Sequence, residues 1–281
     1  IELLSQIAKP DYAIITNIGE SHIEYLGSRE GIAKAKLEII SGMSNQGTLI
    51  IDGDEPLLNS YHDDLKVIHC GYNDNNDVII SQVYVSQDHT TFMLDDQEHY
   101  KMPLLGKHHA KNATFGITVG KCLNISHENI QKGLAAIKIT GMRFELLKGK
   151  QGSFIINDAY NAAPTSMKAA IDVGKQMEGF QEKVLVLGDL LELGQFSEAM
   201  HRKIAEDIDD SITAVLTYGE KAKYISLALA EASSSTIVAE HFESKEQLLS
   251  RIEQFLKPNS LILFKASRGM EFENLVQSVV I

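Results

Sequence analysis

The sequence holds only two cysteines, Cys70 and Cys122, isolated from each other and at no metal-ligand spacing. That excludes a disulfide framework and a zinc cluster, and both are read as reduced core thiols of a cytoplasmic protein. Long apolar runs are also missing. Stretches such as residues 261–264 are strand-length, far short of the ~20 residues a membrane helix needs. Cations are scarce: 26 Lys and Arg against 38 Asp and Glu leave a formal charge of −12. No basic stripe is present to neutralise a nucleic-acid backbone, although a few local cations suffice for a small phosphorylated ligand. Gly-x-x-x-x-Gly-Lys-Ser/Thr is absent, so there is no Walker-type phosphate loop. Gly-x-Gly-x-x-Gly and Gly-x-Ser-x-Gly are absent too, which argues against an ordinary dinucleotide oxidoreductase and an α/β-hydrolase elbow. No secretory signal is visible; the chain opens inside a helix-like pattern (Ile1, Leu3, Leu4, Ile7), as expected of a piece of a longer protein.

What is there is a globular composition, 44% hydrophobic and 23% charged over 281 residues, enough for two domains. The first half mixes element types. Residues 13–16, 48–51 and 67–70 read as strands, and Ser28 caps a helix running to Met43 with Ile32, Ala35, Ile39 and Ile40 on one face. Three alternating stretches near 78–85, 90–94 and 99–104 predict a small antiparallel sheet, and helices follow over 109–122 and 128–136. From Gly141 onward, strands at 153–156, 184–187, 214–217, 236–239 and 261–264 alternate with helices. Pro164 suits a first helical position, and Ser244-Lys245-Glu246-Gln247 reads as a capping box. Repeated βα units imply a parallel, doubly wound, Rossmann-like sheet. The expected domains are therefore 1–138 and 139–281, with the junction near Ile139–Met142.

Ligands of such sheets bind where strands end and helices begin, and the polar clusters of this chain fall just after strands. In Thr16-Asn17-Ile18-Gly19-Glu20-Ser21-His22, the histidine either orients a phosphate or hydrated magnesium ion or caps the next helix. Lys36 shares the apolar face of Ile32, Ile39 and Ile40. A lysine there either snorkels to water or sits with a lowered pKa. A neutral amine of that kind can take up carbon dioxide as a carbamate, an anionic oxygen ligand for magnesium. Gly106-Lys107-His108-His109-Ala110-Lys111-Asn112 opens a helix with groups able to meet a purine edge or to cap it. Arg143 offers a guanidinium for phosphate or ribose, or for an interdomain salt bridge. Asn157-Asp158-Ala159-Tyr160-Asn161-Ala162-Ala163-Pro164 places an aspartate where ribose hydroxyls are usually held. Lys265-Ala266-Ser267-Arg268-Gly269 reads as a carboxylate or phosphate trap. His201, inside a helix, reads as structural.

These strings, with Leu26-Gly27-Ser28-Arg29-Glu30-Gly31-Ile32-Ala33-Lys34-Ala35-Lys36 and Leu187-Gly188-Asp189-Leu190-Leu191-Glu192-Leu193-Gly194, closely resemble the MurF branch of the Mur ligase family over essentially the whole chain. The resemblance implies the second half of a central ATPase domain followed by the complete carboxy-terminal Rossmann-like domain. It also implies a cytoplasmic, monomeric ATP-dependent ligase of peptidoglycan synthesis. Its substrates would be UDP-N-acetylmuramoyl-tripeptide and D-alanyl-D-alanine, joined through an acyl phosphate with magnesium. Carried over by position, His22 and a carbamylated Lys36 would be the catalytic and metal-binding pair. His108, His109, Asn112, Arg143, Asp158 and Tyr160 would bind ATP, and Asn161, Asp189, Lys265, Ser267 and Arg268 the substrate side. Family members usually have His-Asn where this chain has His108-His109, so the adenine contact differs here. The phosphate loop is expected upstream of Ile1, and the isolated chain is expected to be inactive. The rival readings are another Mur or folylpolyglutamate-type ligase, and a non-catalytic ligand-binding module.

Overall fold

The computed structural model describes residues 1–59, 65–86, 88–138, 140–232 and 236–281. They form two compact units, Ile1–Ile137 and Lys138–Ile281; Ile139, where the junction was expected to begin, lies outside the described residues.

The first unit runs α1 (Glu2–Ala8), β1 (Tyr12–Ile15), α2 (Ile23–Leu26), α3 (Arg29–Leu37), β2 (Thr48–Asp52), α4 (Pro56–Asn59), β3 (Lys66–Gly71), β4 (Val78–Val85), β5 (Thr90–Leu94), β6 (Glu98–Met102), α5 (Lys107–Cys122) and α6 (His127–Ala135). Its six strands lie in sequence order in one sheet. β1, β2 and β3 are parallel, β3 and β4 share a short parallel register, and β4, β5 and β6 are antiparallel. The expected small antiparallel sheet is thus the far half of a mixed one. Ile50, Cys70 and Phe115 form the core under α5, and Ile80, Phe92, Leu94, Tyr100 and Met102 the core beside α6. Cys70 is buried, which pushes its thiol up to about 11; Cys122 is only half-buried, so just one of the two thiols belongs to the core. The α-helix starting after Ser28 ends at Leu37 and continues to Gly42 as a tighter 3-10 turn. Ser28 caps it by accepting the Gly31 N–H at 3.1 Å.

The second unit runs β7 (Glu145–Lys148), β8 (Phe154–Asn157), α7 (Pro164–Gln176), β9 (Glu182–Gly188), α8 (Ser197–Ile204), β10 (Ala214–Tyr218), α9 (Lys223–Glu231), β11 (Val238–Phe242), α10 (Lys245–Glu253), β12 (Ser260–Lys265) and α11 (Glu273–Val279). The sheet order is β11-β10-β9-β12-β8-β7. Five strands are parallel, but β7 is an antiparallel edge, so the sheet is mixed rather than wholly parallel. No alternation marks β7, because Leu146 and Leu147 stand side by side. β11 begins two residues later than its expected start at Thr236. Pro164 does open α7, and Ser244 accepts the Gln247 N–H at 3.3 Å. The helices after β8 and β12 pack on opposite faces: α7 joins the α8 and α9 layer, while α11 joins α10. Adjacent strands whose chains leave to opposite faces make a switch point, where this class of sheet binds ligands.

Among the described residues no helix is long and apolar enough to cross a membrane.

Candidate functional site

Each unit gathers polar side chains where its parallel strands end. In the first, β1 releases the loop from Thr16 to His22. Arg29 and Lys36 lie seven residues apart on α3, hence on one helix face, and both reach back to this loop. Arg29 Nη2 donates to the Ile18 carbonyl at 2.9 Å and pairs with Glu55 at 2.6 Å. Lys36 Nζ donates to the Asn17 carbonyl at 2.8 Å and to Asn17 Oδ1 at 3.3 Å. Burial pushes the Lys36 amine below the ordinary lysine range, with the Glu55 charge partly opposing it. Lys36 is therefore half-buried and held by uncharged oxygens, neither a simple snorkel nor a fully hidden amine. His22 stands at the amino-terminal boundary of α2 with a left-handed φ of 64°, but its side chain makes no capping hydrogen bond. It is exposed on the same loop.

The turn after β2 contributes residues whose role sequence reasoning missed. Asp52 and Asp54 both accept from Lys111 Nζ at 2.7 Å. Asp54 also takes the N–H groups of Tyr72 and Asn73 and the side-chain amide of Asn76. Burial raises the Asp52 pKa against the pull of Lys111. At Asp54 burial also acts upward, but Lys111 and the backbone donors hold the carboxyl below its usual range. Glu55 completes the turn by accepting the Leu57 N–H at 3.2 Å. A usable signal was present: three carboxylates within four residues, directly after a strand, are more than a turn requires.

Lys111 belongs to α5, whose amino-terminal boundary is Gly106, so no polar side chain caps it. The imidazoles of His108 and His109 lie with centroids 4.1 Å apart. Burial pushes His109 down to about 4, a neutral ring at physiological pH. His109 and Asn112, one turn apart, line a cavity of about 450 Å³ between α5 and α6, walled by Leu104, Gly116, Ile130 and Leu134. Its size and largely apolar lining, with Asn129 as a third polar side chain, suit a flat heterocycle.

In the second unit the structure joins residues that had been assigned to different ligands. Lys265 Nζ meets Asp158 Oδ2 at 2.5 Å, and Asp158 Oδ1 accepts the Phe144 N–H at 3.3 Å. Lys265 also donates to the Asn161 carbonyl at 3.1 Å. Both side chains are hidden, 2% and 7% exposed. Burial drives the Asp158 carboxyl up and the Lys265 amine down, and their mutual attraction opposes both shifts. Ser267, also buried, accepts the Leu191 N–H at 2.9 Å and donates to the Ala162 carbonyl. Asp189 Oδ1 accepts the N–H groups of Lys221 and Ala222 at 3.0 and 2.7 Å. Gly219, at φ 122°, leaves the room that this carboxylate fills. Asp158, Asp189, Lys265 and Ser267 thus cross-brace the strand ends instead of facing outward.

The outward members are others. The Arg143 guanidinium lies 4.2 Å from the Tyr160 ring centroid, and Asn161 is exposed beside them. Arg268 pairs with Glu273 at 3.0 Å and touches Met142 Sδ. Met142 in turn accepts the Tyr160 N–H through its carbonyl. Arg143, Tyr160, Asn161 and Arg268 form a cationic, aromatic surface over the buried pair.

Among the described residues no group of three or more His, Cys, Asp or Glu side chains converges as a metal site. An ammonium at Lys36 repels a cation, whereas a carbamate there would offer the oxygens magnesium prefers. The donor chemistry therefore fits magnesium only with Lys36 modified.

Two family descriptions match the chain: Mur ligase middle domain over residues 2–120, and Mur ligase, glutamate ligase domain, over residues 142–268. The UDP-N-acetylmuramoyl-tripeptide–D-alanyl-D-alanine ligase of Bacillus subtilis is 46% identical over 100% of this chain and 61% of its own length. That of Escherichia coli is 31% identical over 97% of this chain and 61% of its own length. A crystal structure of MurF from Acinetobacter baumannii superimposes with a TM-score of 0.86 at 28% identity, over 99% of this chain and 61% of that one. The chain thus spans about three-fifths of the length of these curated relatives.

Proposed function

Because the chain belongs to the MurF branch of the Mur ligase family, we propose that it carries the middle-domain and glutamate-ligase-domain parts of an ATP-dependent ligase. That enzyme joins D-alanyl-D-alanine to UDP-N-acetylmuramoyl-tripeptide in the cytoplasmic supply of peptidoglycan precursors. ATP transfers its γ-phosphoryl group to the tripeptide carboxylate, and the dipeptide amine then attacks the acyl phosphate, forming an amide and releasing phosphate. Charge grows on the phosphoryl oxygens and on the tetrahedral intermediate, so placed cations carry much of the rate.

The observation that carries this reading is the Lys36 amine, with its lowered pKa, held against Asn17. An amine of this kind reacts with carbon dioxide, and with His22 it would hold magnesium, which supplies positive charge at the transferring phosphoryl group. His109 and Asn112 offer adenine a neutral imidazole and an amide along one apolar wall. Arg143, with Tyr160 stacked on it, is suited to phosphate or ribose. Arg268 and Asn161 are suited to the acceptor dipeptide, with Asp158, Asp189, Lys265 and Ser267 acting from beneath.

The test is Lys36→Ala in a ligase that carries this sequence together with the region of its relatives that the chain does not span. Activity should fall about a hundredfold or more and return in part with added bicarbonate or chloride. A carbon-13 carbamate signal formed from labelled bicarbonate should vanish in the same variant. Unchanged activity would remove Lys36 from the mechanism. The 281-residue chain alone should not hydrolyse ATP, and turnover by it would show that the region of its relatives beyond this chain is not required.

A further inference from the structure

His201 is fully buried and has no place in the proposed chemistry, yet both of its ring nitrogens are engaged. Nδ1 lies 2.7 Å from the Ser197 carbonyl, which can only accept, so Nδ1 carries the hydrogen. Nε2 then has a lone pair, and it accepts the Leu190 N–H at 3.0 Å. Leu190 lies in the loop that follows β9, and every neighbouring tie of that loop is fixed. The Asp189 carbonyl accepts the Ser267 N–H at 3.1 Å, its carboxylate takes Lys221 and Ala222, and the Leu191 N–H goes to Ser267. The result is a reversal of direction. Asp189 and Leu190 turn inward, 7% and 2% exposed, while Leu191 is 46% exposed. Glu192 follows it, exposed and held at a left-handed φ of 61°, a conformation that persists only where the surroundings impose it. Leu191 lies over the turn after β12, since a methyl group built on Gly269 would come within 3.1 Å of its Cδ1. The loop edge therefore adjoins Arg268.

We propose that His201 is a positioning residue: as a neutral imidazole it fixes the Gly188–Gly194 loop so that Leu191 and Glu192, with Arg268, meet the acceptor dipeptide. This rests on the reading of this surface as the acceptor side. The chemistry is complementary: a zwitterion with two methyl groups meets a guanidinium, a carboxylate and an apolar side chain. A hydrogen on Nε2 would point at the Leu190 N–H, so protonation breaks the tie. The charged groups that reach the ring are Asp189 from the β9 loop, which favours its protonation, and Lys221 from the loop entering α9, which opposes it. Burial opposes it more strongly than either.

The experiment is nitrogen-15 NMR on this chain, first through a pH titration and then with added D-alanyl-D-alanine. In the native protein Nε2 should appear as an unprotonated acceptor, and the Leu190, Leu191 and Glu192 amides should move together as His201 titrates. A protonated Nε2 at neutral pH, or loop amides that ignore the titration, would overturn the positioning role without any variant being made. D-alanyl-D-alanine at up to ~10 mM, a weak-binding regime, should shift the Leu191, Glu192 and Arg268 amides more than L-alanyl-L-alanine does. His201→Phe, which keeps the bulk and loses the acceptor, should reduce those shifts severalfold, and His201→Gln should restore them in part. No shift at these positions, or shifts confined to a separate groove lined by Ala199 of α8 and Leu229 of α9, would overturn the acceptor assignment. The tautomer and titration results report on the loop alone, so a failure of the acceptor reading is distinguishable from a failure of the His201 tie.

Discussion

The two units place similar residues in similar positions and use them differently. Each has polar clusters at the carboxyl ends of parallel strands, and each includes a lysine drawn below its ordinary pKa by burial. In the second unit that lysine, Lys265, is sealed against a carboxylate. In the first, Lys36 is half-buried and held by the uncharged oxygens of Asn17. A buried lysine with an equally buried anion is a brace, and one without it keeps a partly accessible amine. The residue type does not separate the two cases; the partner does.

The largest effect that can break this comparison is at the brace. Lys265→Met should destabilise the second unit by about 3–5 kcal/mol, because Asp158 is left as a buried, uncompensated charge. Adding Asp158→Leu should return part of the loss. Hydrogen exchange at Ile262 in the second unit and Ile50 in the first reads the two units separately, and equal loss in both would contradict a local brace.

A somewhat smaller effect concerns the buried histidine of the first unit. Unfolded, His109 titrates near 6.5, and folded it titrates at about 4. Between those values the unfolded chain binds the extra proton, so stability falls as pH drops through the window. The ceiling is on the order of 3 kcal/mol, from 1.36 kcal/mol per pKa unit. His109→Asn should flatten the pH 4 to 6.5 slope at Ile50 exchange; an unchanged slope would assign it to other groups.

Lys111→Ala comes next, at about 2–3 kcal/mol, since Asp52 and Asp54 keep backbone donors but lose their shared cation. Thermal unfolding of the variant would show it. Because Lys111 and Asn112 are neighbours on α5, the same variant should also weaken adenosine nucleotide binding, and intact binding would separate the brace from the cavity. The smallest effect on stability is expected at Lys36→Ala, within about 0.5 kcal/mol, as for a partly exposed side chain with neutral partners.

Much of this was legible in the sequence. Periodicity located most of the elements, since βα units announce themselves by alternating apolar strands and capped helices. It missed β7, whose adjacent leucines carry no alternation, and it ended α3 late because a 3-10 turn continues the same apolar spacing. The residue clusters were legible as clusters, but their inner wiring was not. Asp158 and Lys265 are 107 positions apart, and only the register of β8 against β12 brings them together. The inward direction of Asp189 and Ser267 is likewise not legible, because a polar residue after a strand looks the same whether it faces in or out. The Arg29–Glu55 pair is hidden for the opposite reason, since each residue looks like ordinary helix-start or turn chemistry. The outward position of Leu191 is not legible either, because an apolar residue is not an obvious part of a polar site.

The most direct test of the contrast is quantitative amine labelling of the native chain, read lysine by lysine by mass spectrometry. Lys36 should react, more slowly than exposed Lys34 on the same helix, while Lys265 should stay unmodified until the second unit unfolds. If Lys265 labels as fast as Lys36 under native conditions, the brace is not closed and the distinction between the two lysines falls.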